Sequence, residues 1–259
     1  MQAVCPVCSS TRRVPAHASK ARLRCRECTV LFPHPMPSEK ELVQTYSEGW
    51  SGSGDPEGLT GGTDLALAKS YCAQLAISLG RSSLEGMKLL DYGAGRGALS
   101  HALADQGAEP VALDPFGCNY LKGTGVVSVS SLEAPQAKGP FDGVLLQDVI
   151  EHLPAPRQTL SRIRTHLADD GWLFVATPNA SGLRARVHGP VWREARREGH
   201  LMLFSGRSLA HLLQISGFAR CKRLRWQIRY SENVARRALH WALQASGADG
   251  ELRYLAWKG

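Results

Sequence analysis

Leu89-Leu90-Asp91-Tyr92-Gly93-Ala94-Gly95-Arg96-Gly97-Ala98-Leu99-Ser100 decides the fold of this chain. A short apolar run beginning near Met87 enters three glycines at every second position, and a helix-compatible run follows from Ala98 to Ala104. The pattern is strand, tight turn, helix. Glycine admits backbone angles closed to other residues and leaves no Cβ between the main chain and a ligand. A loop of this shape, at the carboxyl end of a strand and opening a helix, is a place for a nucleotide-like cofactor.

Downstream, Gly107 ends the helix and Val111-Ala112-Leu113-Asp114 forms a second short strand finishing in a carboxylate. At about twenty residues past a glycine loop, such a carboxylate accepts two hydrogen bonds from a cofactor ribose. Further strands are expected at Val126 to Val129, Phe141 to Asp148, Trp172 to Ala176, Phe218 to Tyr230 and Glu251 to Trp257. Helices are expected from Pro156 to Leu167, from a cap at Ser205 or Ser208 to Ile215, and from Ser231 to Ala245. Upstream, Asp64 caps a helix to Leu79 that carries Leu65, Ala68, Cys72, Leu75, Ala76 and Leu79 on one face. Strands alternating with helices imply an α/β chain with a doubly wound, mostly parallel sheet. A dinucleotide dehydrogenase is disfavoured, because the loop spacing is GxGxG and Asp91 would repel a pyrophosphate.

Cys5-Pro6-Val7-Cys8 and Cys25-Arg26-Glu27-Cys28 are two CxxC turns separated by sixteen residues. Four thiolates from such a pair favour one tetrahedral zinc, in a structural role. With Cys5, Cys8, Cys25 and Cys28 closing that shell, His34 is not required in it. Residues 1–37 are therefore expected to form a zinc ribbon, and 38–63 a helix with a capping box at Ser38 and Glu41, followed by a Gly- and Ser-rich linker or lid over Gly49 to Gly62. The remainder, 64–259, is expected to be the cofactor-binding domain, with a substrate-recognition insertion at about 180–205.

The 259 residues suffice for one domain and a small appendage, and no run approaches the roughly 18 apolar residues of a membrane helix. Met1 to Ser10 lacks the apolar core of a signal peptide, and the spacing of the seven cysteines suits a reducing compartment, so a cytoplasmic protein is expected. The formal charge of +8 concentrates between Arg184 and Arg229, where only Glu194 and Glu198 oppose a run of arginines and one lysine. Such a field suits nucleic acid, an anionic surface or a phosphorylated small substrate.

From about Leu65 onward the chain resembles the class I S-adenosylmethionine-dependent methyltransferases. The resemblance is carried by Asp91-Tyr-Gly93-Ala-Gly95-Arg-Gly97, Asp114, Phe141-Asp142, Glu151-His152-Leu153 and Thr177-Pro178-Asn179, in order and at usual distances. It implies a seven-stranded Rossmann-like sheet with a reversed last hairpin. It also implies that S-adenosylmethionine is held by Asp91, Gly93, Ala94, Gly95 and Gly97, with Asp114 on the ribose, Ser131 and Leu132 beside the adenine, and Gln147 closing the site. Many members place an Asp where this chain has Ser130 or Ser131. The N-terminal stretch Phe32-Pro-His-Pro35-Met-Pro37-Ser38-Glu39-Lys-Glu41-Leu42 is similar to the opening of bacterial methyltransferases that act on sugars, glycans and secondary metabolites.

Two further motifs carry candidate chemistry. Asp148, Glu151 and His152 stand at i, i+3 and i+4 and would share a face if that turn is helical. The pattern is similar to the E-x-x-E-H of ubiquinone-biosynthesis O-methyltransferases, which implies a second divalent metal such as Mg2+ near the acceptor hydroxyl. Gly199-His200-Leu201-Met202-Leu203-Phe204-Ser205 resembles a motif of small-molecule methyltransferases whose histidine faces the active site. The catalytic candidates are thus His152, His200 and Glu151. The expected acceptor is a small molecule, with an anionic group among the options, and the expected product an O-methyl compound. An RNA base methyltransferase is the alternative, and a non-catalytic zinc-ribbon scaffold the second.

Overall fold

The computed structural model describes residues 3–16, 22–52, 62–226 and 234–259, with side chains described for all of these except 48–52 and 62–64. It opens with three short antiparallel strands, β1 (Arg13–Pro15), β2 (Arg22–Cys25) and β3 (Leu31–Pro33). Helices α1 (Glu39–Gly52) and α2 (Gly62–Ser78) follow. The alternating part runs β4 (Lys88–Tyr92), α3 (Ala98–Ala104), β5 (Glu109–Leu113), β6 (Val127–Val129), β7 (Phe141–Gln147), α4 (Pro156–Thr165) and β8 (Leu167–Pro178). After short helices α5 (Leu183–His188) and α6 (Arg193–Arg196) come α7 (Gly206–Ile215), β9 (Arg220–Arg223), α8 (Val234–Ala245) and β10 (Glu251–Trp257).

Seven strands form one sheet in the order β6-β5-β4-β7-β8-β10-β9. The first five are mutually parallel, and β10 runs antiparallel to both β8 and β9. The alternation of strand side chains sorts the core into two layers. Leu89, Leu145, Phe174 and Leu255 face α2 and α3, whereas Leu90, Val144, Leu146, Val175 and Tyr254 face α4 and α7. Both faces are covered, which is what near-continuous apolar strands require. Chain order moves outward from β4 through β5 to β6 and then reverses to β7 and β8. The reversal leaves a crevice between the carboxyl ends of β4 and β7, the position at which open α/β sheets bind ligands.

Several boundaries differ from the sequence expectation. The strand expected over Trp172 to Ala176 spans Leu167–Pro178, because it continues through an irregularity of its own: Leu167 pairs Phe141 and Trp172 pairs Gly143, so the extra residues up to Gly171 bulge from β8. Strand β9 is confined to Arg220–Arg223, since Leu224 and Trp226 turn over the α2 face, where Trp226 stacks on Phe174 at 5.1 Å. Helix α1 continues into the first residues of the expected linker, and Gly62 already belongs to α2. The rest of that linker, the far end of the expected sixth strand and the Ser231 start of the next helix lie outside the described residues.

The ribbon is built from two equivalent turns. In each, the first cysteine's N–H donates to the carbonyl five residues on (Ser10, Val30), and its carbonyl accepts from the residue four on (Ser9, Thr29). Ser9 and Thr29 both take positive φ, 60° and 69°. Val7, Val30 and Phe32 are buried in the same core as Leu201, Met202 and Phe204. The ribbon therefore shares the main core and is not a separate appendage.

Candidate active site

The glycine loop leaves β4 at its carboxyl end, and Gly93, Gly95 and Gly97 all have positive φ (78°, 58° and 90°). The Gly93 and Ala94 N–H groups donate to the Leu113 carbonyl, pinning the loop to the end of β5. A Cβ on Gly93 would lie 2.5 Å from Val149, and one on Gly97 2.2 Å from Leu121, so the close approach itself demands glycine. Asp91, 2% exposed, accepts from the Ser100 hydroxyl at 2.6 Å, which ties the strand to α3. Burial above all pushes its carboxyl up to about 6, with Asp114 adding to the effect.

Asp114 spreads its carboxylate over three main-chain donors, Gly95 at 3.0 Å, Phe116 at 2.8 Å and Gly117 at 2.6 Å. It thereby links the glycine loop to the turn after β5. Ser131 and Leu132 follow the end of β6, and Gln147 ends β7 with its Oε1 buried and without a hydrogen-bond partner among the described residues. The residues expected to hold a cofactor thus come from the carboxyl ends of four adjacent strands.

Past β7 the chain breaks stride. Asp148 takes a positive φ of 53°, and only Ile150–His152 forms a short 3-10 turn. The helical face expected for Asp148, Glu151 and His152 does not form: the left-handed residue ends the strand before any α turn begins, and Asp148 is exposed. The ligand-capable group that the structure brings within 4.8 Å is instead Glu151, His152 and His200. His200 arrives because the Leu201 and Met202 N–H groups both donate to the Glu151 carbonyl, at 2.8 and 2.9 Å.

Within this trio each side chain is differently held. Glu151, 1% exposed, accepts from the Thr177 hydroxyl through Oε2 at 2.8 Å, and its Oε1 has no partner among the described residues. Burial, then Asp148, pushes its carboxyl up to about 8. The His152 Nδ1 lies 3.0 Å from the Gly199 carbonyl, an acceptor only. The proton therefore sits on Nδ1 and Nε2 carries the lone pair. His200 is 3% exposed, its ring 4.7 Å from that of His152, and neither ring nitrogen has a hydrogen-bond partner among the described residues. Its Nδ1 faces the buried Glu194 carboxylate at 3.7 Å. Burial lowers His152 to about 4 and His200 to about 3. Both imidazoles are neutral at physiological pH.

Three residues join the site without a sequence signal that assigned them to it. Tyr46 on α1 packs on Phe116 and His152, and its hydroxyl lies 3.1 Å from the Gly199 carbonyl and 3.2 Å from that of His152. Glu194 stands out in sequence as one of two acids in a basic run, which is a signal of sorts. Thr177 belongs to a recognised motif whose function is now visible: it orients Glu151, while Asn179 donates to the Gly247 and Asp249 carbonyls and fastens the turn into β10. Trp192, in the basic segment, packs with Ala185, Ala195 and Leu203.

At the ribbon, the Cys5 and Cys28 sulfurs are 3.6 Å apart and those of Cys8 and Cys25 3.5 Å, with all four within 4.8 Å of one another. A tetrahedron with Zn–S bonds of about 2.3 Å has edges of about 3.8 Å, so the donor set fits zinc.

A family profile described as a methyltransferase domain matches residues 66–221. Similar curated proteins include the ubiquinone biosynthesis O-methyltransferase of Xylella fastidiosa (strain M23), 31% identical over 154 residues, which are 55% of this chain and 59% of that protein. That of Caulobacter sp. (strain K31) is 33% identical over 111 residues, 39% of this chain and 44% of that protein. The chain spans about half the length of the curated relatives it matches. Among solved structures, the Burkholderia thailandensis 1,6-didemethyltoxoflavin-N1-methyltransferase, with 1,6-didemethyltoxoflavin and S-adenosylhomocysteine bound, superposes with a TM-score of 0.56 at 19% identity over 95% of this chain and 99% of that one. An Archaeoglobus fulgidus SAM-dependent methyltransferase gives 0.54 at 16% identity over 83% of this chain and 99% of that one. These two share the fold. With its glycine loop, acidic strand ends and reversed last hairpin, the chain belongs to the class I S-adenosylmethionine-dependent methyltransferase family.

Proposed function

We propose that this protein transfers a methyl group from S-adenosylmethionine to a hydroxyl of a small-molecule acceptor, with His152 as the base. The observation that carries the proposal is the trio of buried Glu151, half-buried His152 and buried His200, set beside the crevice between β4 and β7, two of whose members have polar atoms without hydrogen-bond partners among the described residues. The O-methyltransferase relatives support oxygen as the target.

The residues present fit the cofactor. Gly93, Gly95 and Gly97 offer a cradle free of side chains, Asp91 and Asp114 supply negative charge at either end, and Gln147 has an orphaned buried oxygen beside it. Asp91 and Gly93 would hold the methionine end, Asp114 the ribose, and Ser131 and Leu132 the adenine. When bound, the cofactor supplies an electrophilic sulfonium methyl. In-line transfer of such a group asks the protein to orient the nucleophile and to take its proton. His152 is built for the second task. Gly199 fixes its tautomer, Tyr46 packs against its ring, and burial keeps Nε2 free to accept a proton at neutral pH.

A second reading of the same trio is a divalent metal site, favoured by the unpartnered Glu151 Oε1 and His200 nitrogens. Two imidazoles and one carboxylate suit a first-row transition ion better than the Mg2+ expected from sequence. Cys5, Cys8, Cys25 and Cys28 would hold zinc in a structural role.

The test is transfer of labelled methyl from S-adenosylmethionine to catechols, hydroxybenzoates and sugar phosphates, with and without a chelator of divalent ions. His152→Ala is expected to lower kcat by about 10²-fold or more with cofactor affinity intact. Full turnover in that variant overturns the base assignment. Labelling of RNA in place of every small molecule would favour the RNA alternative, and no labelling at all the scaffold.

A further inference from the structure

Among the described residues, Arg22 is a buried cation with no carboxylate partner. It stands on β2 of the ribbon, 8% exposed, and its Nη1 and Nη2 donate to the Leu201 and His200 carbonyls at 2.8 and 2.6 Å. A guanidinium has five N–H donors. Its Nε is buried without an acceptor among the described residues, and no carboxylate there pairs with it. An arginine removed from water without an anion is costly, and an incoming anion would offset that cost.

The space for that partner lies alongside. A cleft of about 450 Å³ runs between the ribbon, α1 and the segment before Leu201. Arg22, His34, Leu42, Thr45, Arg197 and His200 line it, with Glu198 the one acid of the lining among the described residues, and Arg197 lies 3.9 Å from the Glu194 carboxylate beside it. The size is that of a small-molecule site, for which about 300 to 1,000 Å³ is usual. His200, buried, with neither ring nitrogen hydrogen-bonded among the described residues and its Nδ1 3.7 Å from Glu194, belongs at once to this lining and to the trio with Glu151 and His152.

We propose that the cleft is an anion subsite for the acceptor, taking a carboxylate or phosphate of the small hydroxylated molecule between Arg22 and Arg197 and holding it against His200. The proposal rests on the assignment of His200 to the reaction centre. It gives the ribbon a part in recognition, since Arg22 is supplied by the strand that leads into Cys25. It also narrows the acceptor to compounds carrying a fixed negative charge near the hydroxyl.

Arginine Nε–H signals of the 15N-labelled full chain, assigned through bonds, supply the test. Sodium benzoate and inorganic phosphate are titrated separately, with sodium chloride at matched ionic strength as control. A saturable shift of the Arg22 signal is expected with at least one of the two anions and not with chloride; the anion that produces it tells a carboxylate acceptor from a phosphate one. Arg197→Gln, at an exposed position, is expected to weaken that binding about fivefold, the weight of an exposed charge pair. No shift with either anion, an equal shift with chloride, or unchanged affinity in Arg197→Gln overturns the proposal. S-adenosylhomocysteine is titrated into the same samples. If it binds while neither anion does, the subsite fails and the methyltransferase assignment stands; anion binding without it has the opposite meaning.

Discussion

Asp91→Asn is expected to make the cofactor-free protein more stable at pH 8. The carboxyl is 2% exposed and receives the Ser100 hydroxyl, yet burial still lifts it from the ordinary carboxylate range to about 6. A folded value above the unfolded one means that the group's contribution to stability is intact at low pH and is lost as pH rises through about 6. A rise of roughly two pKa units corresponds to about 3 kcal/mol at pH 8, where the charge is fully formed, and to about half of that at pH 5. Asparagine keeps an acceptor for Ser100 and carries no charge to desolvate. For a chain of this size about 3 kcal/mol is roughly 6 to 12 °C in Tm. Urea denaturation at pH 5 and pH 8 reads the difference directly. A gain that is larger at pH 8 than at pH 5, together with weaker cofactor binding, is the expected result, because the proposed site uses the Asp91 charge at the methionine end of the cofactor. A destabilised variant at pH 8, or a difference that does not vary with pH, refutes the reasoning.

Zinc should be found at one ion per chain by metal analysis, and Cys8→Ser should release it and lower Tm. Because Val30 and Phe32 share the main core, the loss is expected to reach beyond the ribbon, read as faster amide exchange at Leu201 to Phe204. Gly117→Ala places a Cβ 2.0 Å from the Gly95 carbonyl oxygen, so it is expected to cost about 1 to 3 kcal/mol and to disturb the cofactor loop, checked by thermal melts and S-adenosylhomocysteine titration. Tyr46→Phe keeps the packing on Phe116 and His152 but removes the hydroxyl beside Gly199. It should lower kcat more than it raises KM, measured by steady-state kinetics.

The sheet was legible because its central strands β4, β5 and β7 are short, apolar and closed by a turn or an acid, and β10 coincides with the stretch read from sequence, Glu251 to Trp257. The reversal of the last hairpin came from a family resemblance, since nothing local in Glu251 to Trp257 says that it runs antiparallel. Lengths were less legible. Gly171 reads as a boundary, yet it lies inside β8, at the end of the extra residues that bulge between the Leu167 and Trp172 pairings. In the site, His152 and His200 were each visible as motif residues, but their meeting depends on hydrogen bonds from Leu201 and Met202 to Glu151. The place of Asp148 was misjudged for a local reason, a left-handed residue that spacing alone does not reveal. Arg22 carries no signal at all: its partners are 178 and 179 residues away, and only the folded ribbon brings them together.

The most direct measurement of the central claim is calorimetric titration of S-adenosylhomocysteine into the purified chain and into the Asp91→Ala, Asp114→Ala double variant. One site per chain in the first and no binding in a folded second is the predicted result. No binding by the unmodified chain, or binding retained in the double variant, would contradict it.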